Sequence, residues 1–289
     1  MKKAIIIQPG KMGDLLLITP IAKYYYENGY QVDIPVFSNF KNFFNRINYI
    51  NCIDFDIELD KIEYHNSTRM KMWEMGKTLE QQLNSSYQYD GFKKSVLMFE
   101  KIYNLIEEKK YDLIIDPCWG FAGHRQTLES MNIINESYKK NQKWITTKYK
   151  LSKVPLEKRY DFVWERDENK EDNLLKFIKS YAYKKYGSEE YSVVHSYKSE
   201  SLPNFSVKNP INFSYINGYE IYDWIKVLEN AETIVCVDSC LSHFVETQAS
   251  LYNIKKIYIG SEEKYWHYFM HNILKNNWTN YTNSDITNE

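Results

Sequence analysis

Ala4-Ile5-Ile6-Ile7 is an unbroken apolar run that ends in Gln8-Pro9-Gly10. A strand that is apolar at every position must be covered on both faces, as happens in a parallel sheet flanked by helices. A parallel neighbour cannot be reached by a tight hairpin, so the chain has to cross over a face, usually through a helix. The next segment fits: Asp14–Glu27 places Leu15, Leu16, Ile18, Ile21, Ala22 and Tyr25 at helical spacing, and Gly29 stops it. Gln31–Phe37 and Ile50–Asp54 then read as strands separated by a short helix over Asn39–Arg46, which gives the order βαβαβ.

The alternation continues after one interruption. Residues 58–91 have no strong period and are too long for an ordinary connection, so they read as a helical insertion with Met70, Met72, Trp73 and Met75 as packing residues. Ser95 is a candidate cap for a helix running to Lys109, with Met98, Ile102, Leu105 and Ile106 on one stripe, and Tyr111–Asp116 is the strand that follows. The stretch 139–170 is weakly periodic and holds the expected domain boundary, which divides 1–150 from 151–275. Beyond it the expected order is helix Asn173–Tyr186, strand Tyr191–His195, strand Lys208–Phe213, helix Tyr219–Asn230, strand Thr233–Val237, helix Ser239–Ser250 and a last strand Lys255–Ile259. Residues 276–289 read as a polar tail. No internal repeat is visible, so the fold class is α/β with two doubly wound, Rossmann-like units.

Composition limits the partners. A chain of 289 residues holds one large or two modest domains, and 16% aromatic residues argue against disorder. With a net charge of −1 there is no global field toward nucleic acid or an anionic membrane. Between Lys139 and Arg159, however, eight basic residues (Lys139, Lys140, Lys143, Lys148, Lys150, Lys153, Lys158, Arg159) face one acid, Glu157. That run is either a solvated linker or an attractor for an anionic acceptor. No apolar run approaches the ~20 residues of a bilayer span, and the start of the chain lacks a cleavage site, so a cytoplasmic protein is expected. The four cysteines are irregularly spaced, as free thiols in a reducing compartment would be. Cys236, Cys240 and His243 do not make a metal site, because Cys236 lies within a strand, Cys240 opens a helix and no fourth ligand pairs with them.

Two strand-to-helix junctions carry the chemistry. In the first, Gly10 and Gly13 are expected to take the tight turn, and Asp14 lies at the carboxyl edge of the sheet. Its carboxylate is either a helix N-cap or a base that takes a proton from an attacking hydroxyl. The junction has neither the Gly-Lys-Ser/Thr ending of a phosphate-binding loop nor Gly-x-Gly-x-x-Gly. In the second, a strand ends in Asp238-Ser239 and a helix starts, whose N–H groups and dipole suit a diphosphate. His243, one turn in, reads as a satisfied buried histidine. The glycine-bearing loop Pro117–Arg125 follows the strand Tyr111–Asp116, and its His124 and Arg125 are candidate acceptor contacts. Arg125 suits a phosphate or carboxylate, or else a surface ion pair.

The two junctions together resemble glycosyltransferase family 9, the ADP-heptose:lipopolysaccharide heptosyltransferases and their relatives. The early segment stands here as Gly13-Asp14-Leu15-Leu16-Leu17-Ile18-Thr19-Pro20 and the late one as Asp238-Ser239-Cys240-Leu241-Ser242-His243, with Cys240 where the family has glycine. Tyr111–Asp116 is similar to the family's acceptor-side strand, and Trp224–Ala231 to the helix before its second motif. The resemblance implies the GT-B architecture, two facing Rossmann-like domains with a central cleft. It also implies inverting transfer of a heptose or related sugar from a nucleoside-diphosphate sugar to a hydroxyl, with no cofactor and no metal. Asp14 would be the catalytic base; Gly13, Ser196, Lys198, Asp238, Ser239, Cys240, Leu241, Ser242 and His243 would surround the donor. The implied acceptor is a surface glycan or lipopolysaccharide-type saccharide, with no transmembrane segment and peripheral membrane contact left open. Two other readings stand beside it: a nucleic-acid acceptor, as in phage-type enzymes that glycosylate bases in DNA, and a non-catalytic nucleotide-sugar-binding protein.

Overall fold

The computed structural model describes residues 1–58, 90–117, 128–139, 144–195, 207–237, 239–260 and 274–282. The chain forms two compact units, Met1–Trp164 and Glu165–Glu289, and the sheet of each is parallel throughout.

The first unit opens with β1 (Lys2–Ile6), α1 (Met12–Glu27), β2 (Tyr30–Val36), a 3₁₀ turn over Ser38–Phe44 and β3 (Asn51–Asp54). It continues with α2 (Asp90–Lys109) and β4 (Leu113–Ile115), and the sheet order is β3-β2-β1-β4. Ala4 pairs with Val32 on one side and Leu113 on the other, so β1 is central. Its Ala4, Ile5 and Ile6 are wholly buried, as an all-apolar strand requires. Ile5, Ile7, Phe37 and Ile57 pack with Met98, Phe99 and Ile102 of α2 in one core cluster. Ser95 lies inside α2, which starts at Asp90, and is therefore not its cap. The insertion read over residues 58–91 falls mostly outside the described residues.

The basic stretch is not a solvated linker where it is described. It contains the end of α3 (Leu128–Lys139), then α4 (Trp144–Leu151) and a 3₁₀ turn over Leu156–Tyr160. Ile145, Thr147, Lys148 and Tyr149 of α4 are buried, as is Arg159, whereas Lys150 and Lys153 remain exposed. The Tyr149 hydroxyl donates to the Leu17 carbonyl at 3.1 Å and the Tyr25 hydroxyl to the Ser152 carbonyl at 2.7 Å. α1 is thus bonded to α4 and the residue after it and packs against the 3₁₀ turn over Leu156–Tyr160, in keeping with the burial of every residue from Leu15 to Ala22. Charge counting missed this because lysine buries its stem readily and its charge only when partnered.

The second unit begins with α5 (Glu168–Tyr186), capped by Asp167, whose carboxylate accepts from the Lys170 amide at 3.0 Å. Gly187 ends it at φ 73°, the left-handed conformation that a helix C-terminus uses. Then come β5 (Ser192–His195), β6 (Pro210–Asn212), a 3₁₀ turn over Ile221–Trp224, α6 (Ile225–Glu229), β7 (Thr233–Val237), α7 (Cys240–Thr247), β8 (Lys255–Gly260) and β9 (Trp278–Thr282). The sheet order is β6-β5-β7-β8-β9. The single helix expected over Tyr219–Asn230 is divided between the 3₁₀ turn and the short α6.

β8 is not the last strand, and 276–289 is not simply a tail: Trp278–Thr282 pairs along β8, with Ile257 opposite Thr279. Trp278, Thr279, Tyr281 and Thr282 are strand-forming types that a polarity reading overlooks. What seats them is Glu246 of α7, itself buried. Its carboxylate accepts from the Lys275 amide at 2.9 Å and from the Trp278 indole at 2.9 Å, and its carbonyl accepts from the Asn276 side chain at 2.6 Å. Among the described residues no helix is long and apolar enough to cross a membrane.

Replacing Glu246 with Ala strands the Lys275 amide and the Trp278 indole and should cost about 3 kcal/mol, read from the urea midpoint. Amide exchange over residues 278–282 should accelerate while that of β7 does not. Unchanged exchange in β9 would show that Glu246 is not its anchor.

Candidate active site

In the first unit the chemistry gathers where β1 runs into α1. The left-handed turn is taken by Lys11, at φ 55° and ψ 136°, and by neither Gly10 nor Gly13 as the sequence suggested. Lys11 is the N-cap residue and its carbonyl accepts from Leu15 N at 2.9 Å. Asp14 therefore sits in the first turn of the helix, two residues past its start, and is not its cap. A carboxylate there is favoured by the helix dipole. Its side chain is only 13% exposed.

The second charge in this cluster is Lys148 of α4, which is 3% exposed. Its ammonium lies 3.5 Å from Asp14 Oδ1 and donates to the Pro117 carbonyl at 3.0 Å and to Gln8 Oε1. Gln8 is wholly buried, and its Nε2 donates to the Gly10 carbonyl at 2.9 Å, which fixes the amide so that its oxygen faces the lysine. Burial pulls the Lys11 ammonium below its ordinary value; Asp14 opposes that and Lys148 adds to it. Further along α1, the buried Thr19 hydroxyl donates back to the Leu15 carbonyl at 2.7 Å, ahead of Pro20 inside the helix.

In the second unit a polar cluster forms where β7 runs into α7. Ser239 is the N-cap residue of α7; its amide donates to Ser242 Oγ at 3.1 Å, and the Ser242 hydroxyl donates to the Ser239 carbonyl at 2.8 Å. Leu241 and Ser242 are wholly buried, His243 nearly so, and Cys240 is half-buried at the first helical position. The Ser239 hydroxyl is 2.8 Å from Nδ1 of His195, the last residue of β5, whose ring stands edge-on to Phe213 with centroids 5.2 Å apart. β5 and β7 are adjacent, with His195 opposite Cys236, so the register itself brings these side chains to one sheet edge. Burial pushes the Cys236 thiol well above its usual value, which makes it a poor thiolate ligand. Among the described residues no group of three His, Cys, Asp or Glu is placed to hold a metal ion.

Of the residues singled out from the sequence, Gly13 and Asp14 lie together at the start of α1, and Ser239, Cys240, Leu241, Ser242 and His243 lie together at the start of α7. Ser196, Lys198, Asp238, His124 and Arg125 lie outside the described residues. Sequence reasoning passed over Gln8, Lys148 and His195. Gln8 and His195 did leave a signal, each being a polar residue that closes an otherwise apolar strand run. Lys148 left little: it was one cation in a basic run, and only the helical spacing of Ile145 and Tyr149 marks the buried face beside it.

No family model and no curated protein sequence matches the chain. Solved structures do. The structure of the glycosyl transferase family 9 protein from Veillonella parvula aligns over 97% of this chain and 87% of its own, with a TM-score of 0.51 and 10% identity. E. coli ADP-heptose lps heptosyltransferase II aligns over 97% of this chain and 90% of its own, with a TM-score of 0.45 and 11% identity. E. coli heptosyltransferase WaaC with ADP-2-deoxy-2-fluoro heptose aligns over 96% and 92%, with a TM-score of 0.42 and 10% identity. The fold is that of the family 9 glycosyltransferase structure: two parallel-sheet α/β units, the Rossmann-like pair that the GT-B resemblance implies.

The strained Lys11 gives a direct test of the first junction. Glycine adopts φ 55° without the ~1–3 kcal/mol penalty of a side-chain-bearing residue, though it gains entropy in the unfolded chain. Lys11→Gly should therefore raise stability by about 1 kcal/mol, seen as a higher urea midpoint at unchanged slope. A lower midpoint would mean that the turn is not strained.

Proposed function

We propose that this protein transfers a sugar from a nucleoside-diphosphate sugar to a hydroxyl acceptor, with Asp14 as general base. The observation that carries the reading is the Asp14 carboxylate itself. It stands at the carboxyl edge of a parallel sheet, largely out of water, does not cap its helix, and has an ammonium beside it. A carboxylate with only a structural task at a helix start would accept from the helix amides. Asp14 is not the N-cap residue, which supports its reading as a group able to take a proton.

In the proposed reaction the acceptor oxygen attacks the anomeric carbon as its proton passes to Asp14. The bond from that carbon to the diphosphate oxygen breaks, and the nucleoside diphosphate leaves with the electron pair. A single displacement of this kind inverts the anomeric centre. The developing negative charge needs donors fixed in advance. The start of α7 supplies main-chain N–H groups and the positive end of a helix dipole. The Ser239 hydroxyl, held by His195 Nδ1, adds a side-chain group at the same edge. With these groups, and with Lys198 in the part that the resemblance gives it, the displacement runs without a metal ion. A heptose or related sugar is the proposed donor sugar, and a surface glycan or lipopolysaccharide-type saccharide the proposed acceptor; both rest on the resemblance alone. The fold likeness is consistent with this chemistry without specifying it, because one scaffold hosts many reactions.

The test begins with a panel of nucleotide sugars, scored for donor binding and for release of nucleoside diphosphate with and without saccharide acceptors, in the presence of EDTA. Asp14→Asn should lower the transfer rate by on the order of 10²–10⁴-fold with donor affinity unchanged, since general base catalysis is worth that much. His195→Ala should weaken donor binding while leaving Asp14-dependent chemistry in place. Full transfer by Asp14→Asn would remove the base assignment. Binding of donors without turnover on any acceptor would favour a nucleotide-sugar-binding protein instead.

A further inference from the structure

Lys148 has a connection to the chemistry that its place in a basic run conceals. It is one of two buried lysines among the described residues, with side-chain exposure of 4%. An ammonium has three N–H donors and no acceptor. One goes to the Gln8 amide oxygen and one to the Pro117 carbonyl at 3.0 Å, both neutral acceptors on the segments that follow β1 and β4. The third partner is Asp14 Oδ1, at 3.5 Å, which is long for a hydrogen bond and short for a Coulombic contact. Among the described residues, the charges facing Asp14 include Lys148 from α4 and Lys11 from the preceding loop, together with the positive end of α1.

We infer that Lys148 is the positioning residue of the Asp14 base, a buried ammonium that holds this carboxylate in place without sharing its proton. The inference rests on the reading of Asp14 as general base. Its logic lies in which atoms are tied and which are left. A lysine bonded only to Asp14 would lose its sole compensation at the moment the carboxylate took a proton, because a buried charge without a partner is costly. Here the Gln8 and Pro117 oxygens hold the ammonium in either protonation state of Asp14. At 3.5 Å the carboxylate feels the charge but spends no lone pair on a tight hydrogen bond with Lys148, which leaves it able to accept a proton. Gln8 is set for this by its own bond to the Gly10 carbonyl, which leaves its oxygen, not its NH₂, toward the lysine.

Two uncharged replacements test this. Lys148→Met keeps the aliphatic stem and removes the ammonium, while Lys148→Gln keeps a donor for the neutral oxygens and is the variant less prone to misfold. Thermal melting and near-ultraviolet circular dichroism identify which of them is folded. In a folded variant kcat should fall roughly tenfold to hundredfold with donor KM within about twofold, since a misplaced base harms the chemical step more than binding. Lys148→Arg, which retains the charge and its donors, should recover most of the lost kcat. Wild-type kcat in a folded Lys148→Met or Lys148→Gln would overturn the inference. Asp14→Asn measured alongside separates the two failures. If it is inactive while both lysine variants behave as wild type, only the role of Lys148 falls; if it is fully active, the base assignment falls first.

Discussion

The constraint on which the rest depends is that every strand pair in both sheets is parallel. Parallel strands covered on both faces favour apolar side chains along their length, so most polar chemistry is pushed toward their ends. The chain shows this repeatedly. Gln8 lies just beyond β1, Pro117 beyond β4, His195 ends β5 and Ser239 follows β7. All four positions lie toward the carboxyl end of their strands, the edge where such sheets present ligand sites. Each crossover also returns a helix start to that edge, which is why Asp14 and the first turn of α7 occur at equivalent places in their respective units.

Three buried ions reveal how the structure treats charge. Lys256 is wholly buried, and its ammonium donates to the carbonyls of Leu251, Tyr252 and Ile254 at 2.6, 3.1 and 3.1 Å. It closes the turn between α7 and β8, with neutral acceptors for all three donors. Glu246 performs the converse task for the segment leading into β9. Lys148 differs from both, because its neutral acceptors already go far toward satisfying it and a carboxylate lies nearby in addition. A purely structural lysine at that place could be completed by one more carbonyl, as Lys256 is. That a titratable group stands there instead is the feature that architecture alone does not account for.

How much of this was legible in the sequence depends on how local each cause is. β1 and β7 were readable because their apolar runs are continuous and bounded by turn residues, a signal contained in half a dozen positions. The two junctions were readable for the same reason, down to Cys240 opening its helix. β9 was not, since Trp278–Thr282 is held by Glu246 some thirty residues earlier and its own composition is polar. Nor was the burial of Lys148, since the sign of a lysine's contribution depends on partners as remote as Gln8. The turn before α1 is a third kind of case: glycine was the reasonable choice for a left-handed residue, yet the chain places Lys11 there and tolerates the strain. Local rules broken without local compensation tend to mark working parts of a protein.

The same reasoning explains why a chain can keep a fold at 10% identity to the Veillonella protein while its function has to be argued residue by residue. A parallel sheet asks of each strand only that it be apolar and of suitable length, and many sequences meet that demand. A site asks for particular atoms at particular distances. Drift in the first leaves the alignment of elements intact, whereas drift in the second changes chemistry without disturbing the scaffold. Cys240 illustrates the distinction: it stands where the family 9 resemblance has glycine, and the helix start and its amide survive. Asp14, by contrast, has a cation and the positive end of a helix beside it. It is therefore the surroundings of Asp14, more than the likeness of the scaffold, that carry the case for catalysis.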